Sequence, residues 1–334
     1  MRMIDIYGTL GPSCSNVKTL EEMFDAGMTG IRVNLSHAGL RESADRMELL
    51  HTAARARGIT PQILIDLQGP ELRVGRLKEP VGMKEGEEVL LGEGGIPVPA
   101  IVLENLREGN EILMDDGRLL LKVSAAGEMS AWAKVLRGGI LQSRKSIAVH
   151  GVKIHPPTMT EEDKRNIADA LSFGVTGIMQ PFVRSRQDLV EVKAALKEAG
   201  AGGLTLIAKI ENREGMRKLP ELLQEADMIC IARGDLGNDM DLWDLPAAQK
   251  EISKACNEAG VPYFVATQML TSMEERAVPT RAEVSDIFNT AADGASGVMI
   301  TGESAVGKYP VEAIRYLANT ARAGEEYRKR QMKG

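Results

Sequence analysis

Short apolar runs that end abruptly in charged or polar residues recur along this chain, and most are followed by a stretch with apolar positions at helical spacing. Ile4 to Leu10 reads as a first strand closed by Gly11-Pro12. Asn16 to Gly27 then reads as a helix with Leu20, Met23 and Phe24 on one face and Gly27 as its stop. Gly30 to Ser36 is a second strand, Arg41 to Arg57 a second helix ended by Gly58, and Ile63 to Asp66 a third strand. From about Leu72 to Gly151 the rhythm changes to short alternating runs broken by Gly and Pro, with Asp115-Asp116-Gly117 as a hairpin signal. No long helix fits there. Helix resumes at Thr160, and strands are expected at 177–182, 204–209, 228–232, 263–267 and 297–300. The helices between and after them are expected at 187–199, 215–224, 246–259, 281–292 and 310–328.

Eight strands, each followed by a helix, predict a (β/α)8 TIM barrel of the α/β class. The break in rhythm predicts a small all-β, barrel-like lid inserted after the third strand. The expected division is 1–71 with 152–334 for the barrel and 72–151 for the insertion. A doubly wound open sheet is the alternative, and the count of eight and the lack of a Gly-rich dinucleotide turn argue against it.

Composition changes this picture little. The 334 residues are 43% hydrophobic and 26% charged, ordinary for a soluble globular protein, with a formal net charge of −6. No basic footprint for nucleic acid stands out, and no apolar run approaches the roughly 18 residues of a membrane span. Nor is there a secretory signal pattern at the N-terminus. Three cysteines, Cys14, Cys230 and Cys256, have no metal spacing and suggest free thiols in a reducing cytoplasm. Cys14, after a Gly-Pro turn, could be exposed.

The polar residues fall where a barrel would use them. Arg32, Asn34, Ser36 and His37 follow strand two, and Asp66 and Gln68 to Arg73 follow strand three. Lys209 and Glu211 close strand five, Arg233, Gly234 and Asp235 strand six, Thr267 and Gln268 strand seven, and Thr301 and Glu303 strand eight. Lys209 and Glu211 are two apart, so an extended chain points them to the same side. Each residue alone has a bland reading: buried salt bridges for the charges, helix caps for Asn34 and Ser36, a turn for Asp66. Six strand ends delivering polar groups to one rim favour a shared site. Glu211 and Asp235 suit a hard cation that keeps waters, such as Mg2+. Arg32 and Lys209 suit phosphate or carboxylate, and the turn 233–237 could offer amides to an anion. The combination fits phosphoryl transfer.

Taken together, several motifs resemble the pyruvate kinase family over nearly the whole chain. They are Thr9-Leu-Gly-Pro-Ser13, Arg32-Val-Asn-Leu-Ser-His37, Asp66-Leu-Gln-Gly-Pro-Glu-Leu-Arg73, Lys209-Ile-Glu-Asn212, Ala232-Arg-Gly-Asp-Leu-Gly237, Ala266-Thr-Gln-Met-Leu270, Pro279-Thr-Arg-Ala-Glu283 and Thr301-Gly-Glu-Ser304. The resemblance implies phosphoenolpyruvate and ADP as substrates, pyruvate and ATP as products, and Mg2+ and K+ as cofactors. It implies Mg2+ on Glu211 and Asp235, and K+ on Asn34, Ser36, Asp66 and the carbonyl of Leu67. Arg32 would hold phosphate, and Lys209 would stabilise the moving phosphoryl group and the enolate. Thr267, near Thr301 and Glu303, would lie where the enolate is protonated. Gly234 and Asp235 would present amides to the substrate carboxylate, and Pro12, His37 and Lys145 would lie near ADP. Glu71 would go with K+ dependence, and Asp116 and Arg144 would be lid contacts. A homo-oligomer assembled through the barrel is expected.

The chain departs from that family at Leu67-Gln68 (usually Thr-Lys), Val306 (often Lys), Glu42 (often aromatic), Pro181 (usually Ser) and Thr301 (usually Ser). These departures fall mostly on the nucleotide side. They keep open a Mg2+-dependent enolate lyase or aldolase that does not use ADP, and a phosphoenolpyruvate-binding relative without turnover. The chain ends after the eighth helix, so no C-terminal effector domain, and no activation by sugar phosphates through one, is expected.

Overall fold

A computed structural model of the chain describes residues 3–331 apart from 37, 70, 71, 116, 153 and 155. Expectations placed on His37, Glu71 and Asp116 lie outside the described residues. The chain divides into two units, 1–69 with 158–334, and 70–157.

The first unit is a closed barrel of eight parallel strands. We number them β1 (Asp5–Thr9), β2 (Gly30–Asn34), β3 (Gln62–Asp66), β4 (Gly177–Gln180), β5 (Thr205–Ile210), β6 (Met228–Ala232), β7 (Tyr263–Ala266) and β8 (Gly297–Met299). Each pairs with the next, and β1 closes the ring on β8 with Tyr7 opposite Met299. The strands carry almost continuous apolar runs because both faces are buried. Alternation sorts them: Tyr7, Leu64, Met179, Ile207, Cys230, Phe264 and Met299 form one cluster, while Ile6, Ile63, Ile65, Ile229, Ile231 and Val265 belong to a larger one shared with the helices. The first cluster is the packed barrel interior. Tyr7 fits inside only because two neighbouring strands begin with glycine. A Cβ on Gly30 would come 2.7 Å from the Tyr7 ring, and one on Gly297 2.9 Å from its other edge.

Helix boundaries follow local chemistry. Thr160, Ser185 and Thr280 cap the helices Glu161–Asp169, Arg186–Glu198 and Arg281–Ala292, each in a reciprocal capping box with an acidic residue three positions on. The expected helix 215–224 is two short helices, Arg213–Arg217 and Leu219–Leu222. Pro220 lacks the N–H that would continue the first into the second. The expected turn 233–237 is itself a helix, Arg233–Asn238.

The second unit has its own core of Leu91, Ile112, Met114, Leu121, Val123 and Val135. It is mainly β, with one short helix that the expected all-β insertion does not include. Among the described residues it holds an open five-stranded antiparallel sheet, a two-stranded pair and a helix, Ala100–Asn105. Six residues are too few to show helical periodicity, yet Val102 and Leu103 are buried in that core. The unit takes in 152–157, whose Val152 and Ile154 pack against the same cluster, so its edge lies beyond the expected 151. Glu111–Met114 and Leu119–Ala126 pair antiparallel, as the Asp-Asp-Gly signal predicts.

All three cysteines are free and buried; for Cys14 this corrects the expectation that it could be exposed. Its Sγ accepts from Gly11 N–H at 3.3 Å, under the turn that was expected to lift it out. Among the described residues no helix is long and apolar enough to cross a membrane.

Candidate active site

The C-terminal ends of β2, β3 and β5 carry a chain of charges. Arg32 Nε and Nη2 each lie 2.7 Å from Asp66 Oδ2. Lys209 Nζ donates to the same oxygen at 3.1 Å and sits 2.8 Å from Glu211 Oε1. Alternation explains the convergence: Leu64 and Ile207 face the barrel interior, so Asp66 and Lys209, two residues on, face the same way at the rim. Asp66 and Glu211 are each 2% exposed.

Burial sets the electrostatics. It works against ionised Asp66, but the charges of Lys209 and Arg32 outweigh it and hold the carboxyl below its usual range. It also works against charged Lys209, and Asp66 and Glu211 more than offset it, so the lysine stays an ammonium. Glu211 is pushed up, first by burial and then by the negative charge of Asp235, with Lys209 opposing. Asp235 is therefore close enough for Glu211 to feel its charge.

Among the described residues Asp66 Oδ1 accepts no hydrogen bond, whereas Glu211 Oε1 faces the Lys209 ammonium at 2.8 Å. Buried carboxylate oxygens are normally satisfied, so Asp66 Oδ1 fits a cation ligand. Glu211 Oε2, in contrast, accepts from the Phe182 amide at 2.7 Å, which fixes the carboxylate's orientation. Asn34 Oδ1 accepts from Ser36 N–H at 3.1 Å, turning the chain after β2 over the end of β3, where Asn34 is in register with Asp66. Among the described residues no three His, Cys, Asp or Glu side chains group to hold a metal. A metal held by the described carboxylates would thus rest on no more than two of them, which suits an ion completed by water and substrate oxygens.

Thr267 and Gln268, after β7, have φ of +72° and +53°, a left-handed pair rare outside glycine. Arg233 holds them there. Its Nη2 donates to the carbonyls of Thr267 at 2.9 Å and Gln268 at 3.1 Å, and its Nη1 to Asp286 at 2.7 Å. The Gly234 N–H donates to Thr267 Oγ1 at 2.8 Å, so the amide expected to meet a substrate carboxylate is engaged within the protein. Glu303 is likewise engaged: its oxygens accept from the amides of Leu270 at 2.9 Å and Thr301 at 2.8 Å. It ties the segments after β7 and β8 together.

A pocket of about 460 Å3 opens beside the cluster, lined among others by Pro12, Arg32, Asn34, Thr301 and Val306. Of the expected nucleotide set, Pro12 lies in it. Lys145 belongs to the second unit, where its Nζ is 2.8 Å from Asp115 Oδ1. In that unit, too, the carbonyl of Arg144 accepts from Arg73 Nη1 at 2.7 Å. The departures also find partners. Gln68 Nε2 donates to the Leu35 carbonyl at 3.1 Å, and Glu42 accepts from the Gly39 amide at 3.1 Å. Pro181 packs on Gly69, where a Cβ would lie 2.3 Å from the Pro181 ring. The anchoring of Thr267 by Arg233 and the Phe182 bond to Glu211 were not visible in the sequence. The signal closest to them was the placement of Arg233 and Pro181 directly after strands.

A TIM barrel with buried cations and carboxylates converging at the C-terminal ends of its strands has the architecture of an enzyme site. Residues 1–314 match the family model described as pyruvate kinase, barrel domain. The pyruvate kinase of Thermococcus litoralis is 38% identical over 97% of this chain and 70% of its own length. That of Geobacillus stearothermophilus is 36% identical over 97% of this chain, which spans 57% of that relative's length. The crystal structure of a pyruvate kinase from Cryptosporidium parvum superposes with a TM-score of 0.82 at 32% identity, covering 97% of this chain and 70% of that one. The chain belongs to the pyruvate kinase family.

Proposed function

We propose that this chain transfers the phosphoryl group of phosphoenolpyruvate to ADP, giving pyruvate and ATP. The supporting observation is the buried chain Arg32–Asp66–Lys209–Glu211, in which Asp66 Oδ1 has no hydrogen-bond partner among the described residues. Two cations there face three carboxylates once Asp235 is included. A divalent and a monovalent cation would turn that surplus negative charge positive, as a highly charged phosphate ester requires. Glu211 and Asp235 would hold Mg2+, and Asn34, Ser36, Asp66 and the Leu67 carbonyl would hold K+; when bound, these ions supply charge neutralisation at the phosphate and carboxylate. Arg32 would bind the phosphate. Lys209, fixed as an ammonium, would follow the charge as the enol oxygen–phosphorus bond breaks and a new one forms to the terminal ADP oxygen. The enolate left behind would take a proton at its methylene carbon near Thr267, whose hydroxyl is oriented by Gly234. Gly234 and Asp235 stay candidates for the substrate carboxylate, and Pro12, His37 and Lys145 for the nucleotide.

The same reading makes residues 70–157 a lid over the barrel, and places the enzyme in cytoplasmic glycolysis. It also includes assembly through the barrel, for which exposed Leu242 and Trp243 offer apolar surface. A coupled assay with Mg2+ and K+, with and without ADP, tests the reaction. ATP formed only with ADP is the expected result. Turnover of a pyruvate-like acid without ADP would instead indicate a lyase, and binding without turnover a non-catalytic relative.

A further inference from the structure

We propose that Arg46 is the cation that recognises the phosphates of the nucleotide, which makes it a specificity-determining residue of this chain. The inference rests on the phosphoryl-transfer reading above. The pocket beside Arg32 contains two ionisable side chains, Arg32 and Arg46, and no carboxylate. Both being cations, it is built for an anion. Arg32 is paired with Asp66 and, in the reading above, takes the phosphate of phosphoenolpyruvate. The Arg46 guanidinium has no ion pair or hydrogen bond with any described residue and is exposed at the pocket wall. Its charge also acts on the buried Cys14 nearby. The rest of the wall includes Leu10, Pro12, Ala305 and Val306, an apolar surface suited to a base or ribose.

This placement also accounts for what the sequence lacks. Val306 stands on the wall 63% exposed and brings no charge. Glu42 is turned to the Gly39 amide and is not on the wall. Arg46 lines the pocket from the helix Ala44–Arg57, so a positive charge is supplied by a segment other than that of Val306. An arginine there can bind a phosphate in bidentate fashion, which a lysine cannot.

The test is steady-state kinetics on wild type, Arg46→Met and Arg46→Lys, varying ADP and phosphoenolpyruvate separately, with calorimetric titration of ADP into each protein. Arg46→Met should raise KM for ADP about tenfold, as the loss of one charge-assisted contact predicts, and leave KM for phosphoenolpyruvate and kcat within about twofold. Arg46→Lys should recover part of the loss. An unchanged KM for ADP, or equal rises for both substrates, would overturn the proposal. If wild type makes no ATP, the reaction assignment fails on its own and calorimetry still decides. A roughly tenfold weaker ADP affinity in Arg46→Met upholds the role of Arg46, and equal affinities or no ADP binding by wild type overturn it.

Discussion

Arg233 and Thr267 are bound through the backbone: the guanidinium donates to the Thr267 carbonyl at 2.9 Å and so fixes a threonine whose φ is +72°. The arginine is 8% exposed and is the first residue after β6. Its partners on the far side are Asp286 and Gln249. A strained, non-glycine turn persists only where its surroundings over-determine it. Here one side chain does most of that, while the Gly234 N–H meets the Thr267 hydroxyl.

Replacing Arg233 by Met should therefore lower kcat by about a hundredfold, because small misplacements of reacting groups cost that much. KM for phosphoenolpyruvate should change far less. Thr267→Val should give a similar kcat loss without a fall in melting temperature beyond about 3 °C. If Arg233→Met unfolds the protein, Asp286→Asn keeps the packing and should still lower kcat several-fold. Kinetics and thermal melts measured on the same preparations separate the two effects.

Lys209→Met should abolish phosphoryl transfer, with kcat reduced by at least about a thousandfold, because its charge acts on the transition state. Removing one partner of a buried ion pair costs about 3–5 kcal/mol, so the melting temperature should also drop. Asp66 keeps Arg32, so the fold should survive. Circular dichroism at 25 °C, together with single-turnover assays, checks both halves. Near-normal turnover would remove Lys209 from the mechanism.

Glu211→Gln should weaken Mg2+ dependence. The Oε2 bond from the Phe182 amide can be kept by the amide oxygen, so the side chain should stay in place. What is lost is charge at the ion. The Mg2+ concentration for half-maximal activity should rise about tenfold or more, and chelator should inactivate the variant at lower concentration than wild type. An unchanged Mg2+ curve would place the ion elsewhere.

Glu283 gives a pH signature away from the site. It accepts from Thr280 and Ser272, and these bonds outweigh partial burial and hold its carboxyl below the usual 4.5. A folded-state value below the unfolded one means stability that is present above about pH 4.5 and is lost as pH falls through the lowered value. Glu283→Gln should cost roughly 1 kcal/mol at pH 7, in the range of helix capping. The gap in melting temperature from wild type should close on acidification below about pH 4.5. A gap that widens in acid would reverse the assigned sign.

Much of the barrel could be read from the pattern alone. Buried parallel strands are apolar on both faces and must stop in polar residues at the rim, so eight such runs announce themselves without any contact information. The pairing of Lys209 with Glu211 follows from the two-residue alternation of an extended chain. The second unit was less legible. Its strands are short, and its six-residue helix Ala100–Asn105 has no room for a period.

The sequence by itself determined the kind of fold, the rim that carries chemistry and the charged residue types there, because these depend on periodicity and on the cost of burying charge. Only the tertiary structure decided which partners those charges take: that Arg32 and Lys209 share one oxygen of Asp66, that Arg233 serves the turn at Thr267, and that Arg46 has no partner among the described residues. Such choices depend on distances of a few ångströms between residues far apart in the chain, and no local pattern encodes them.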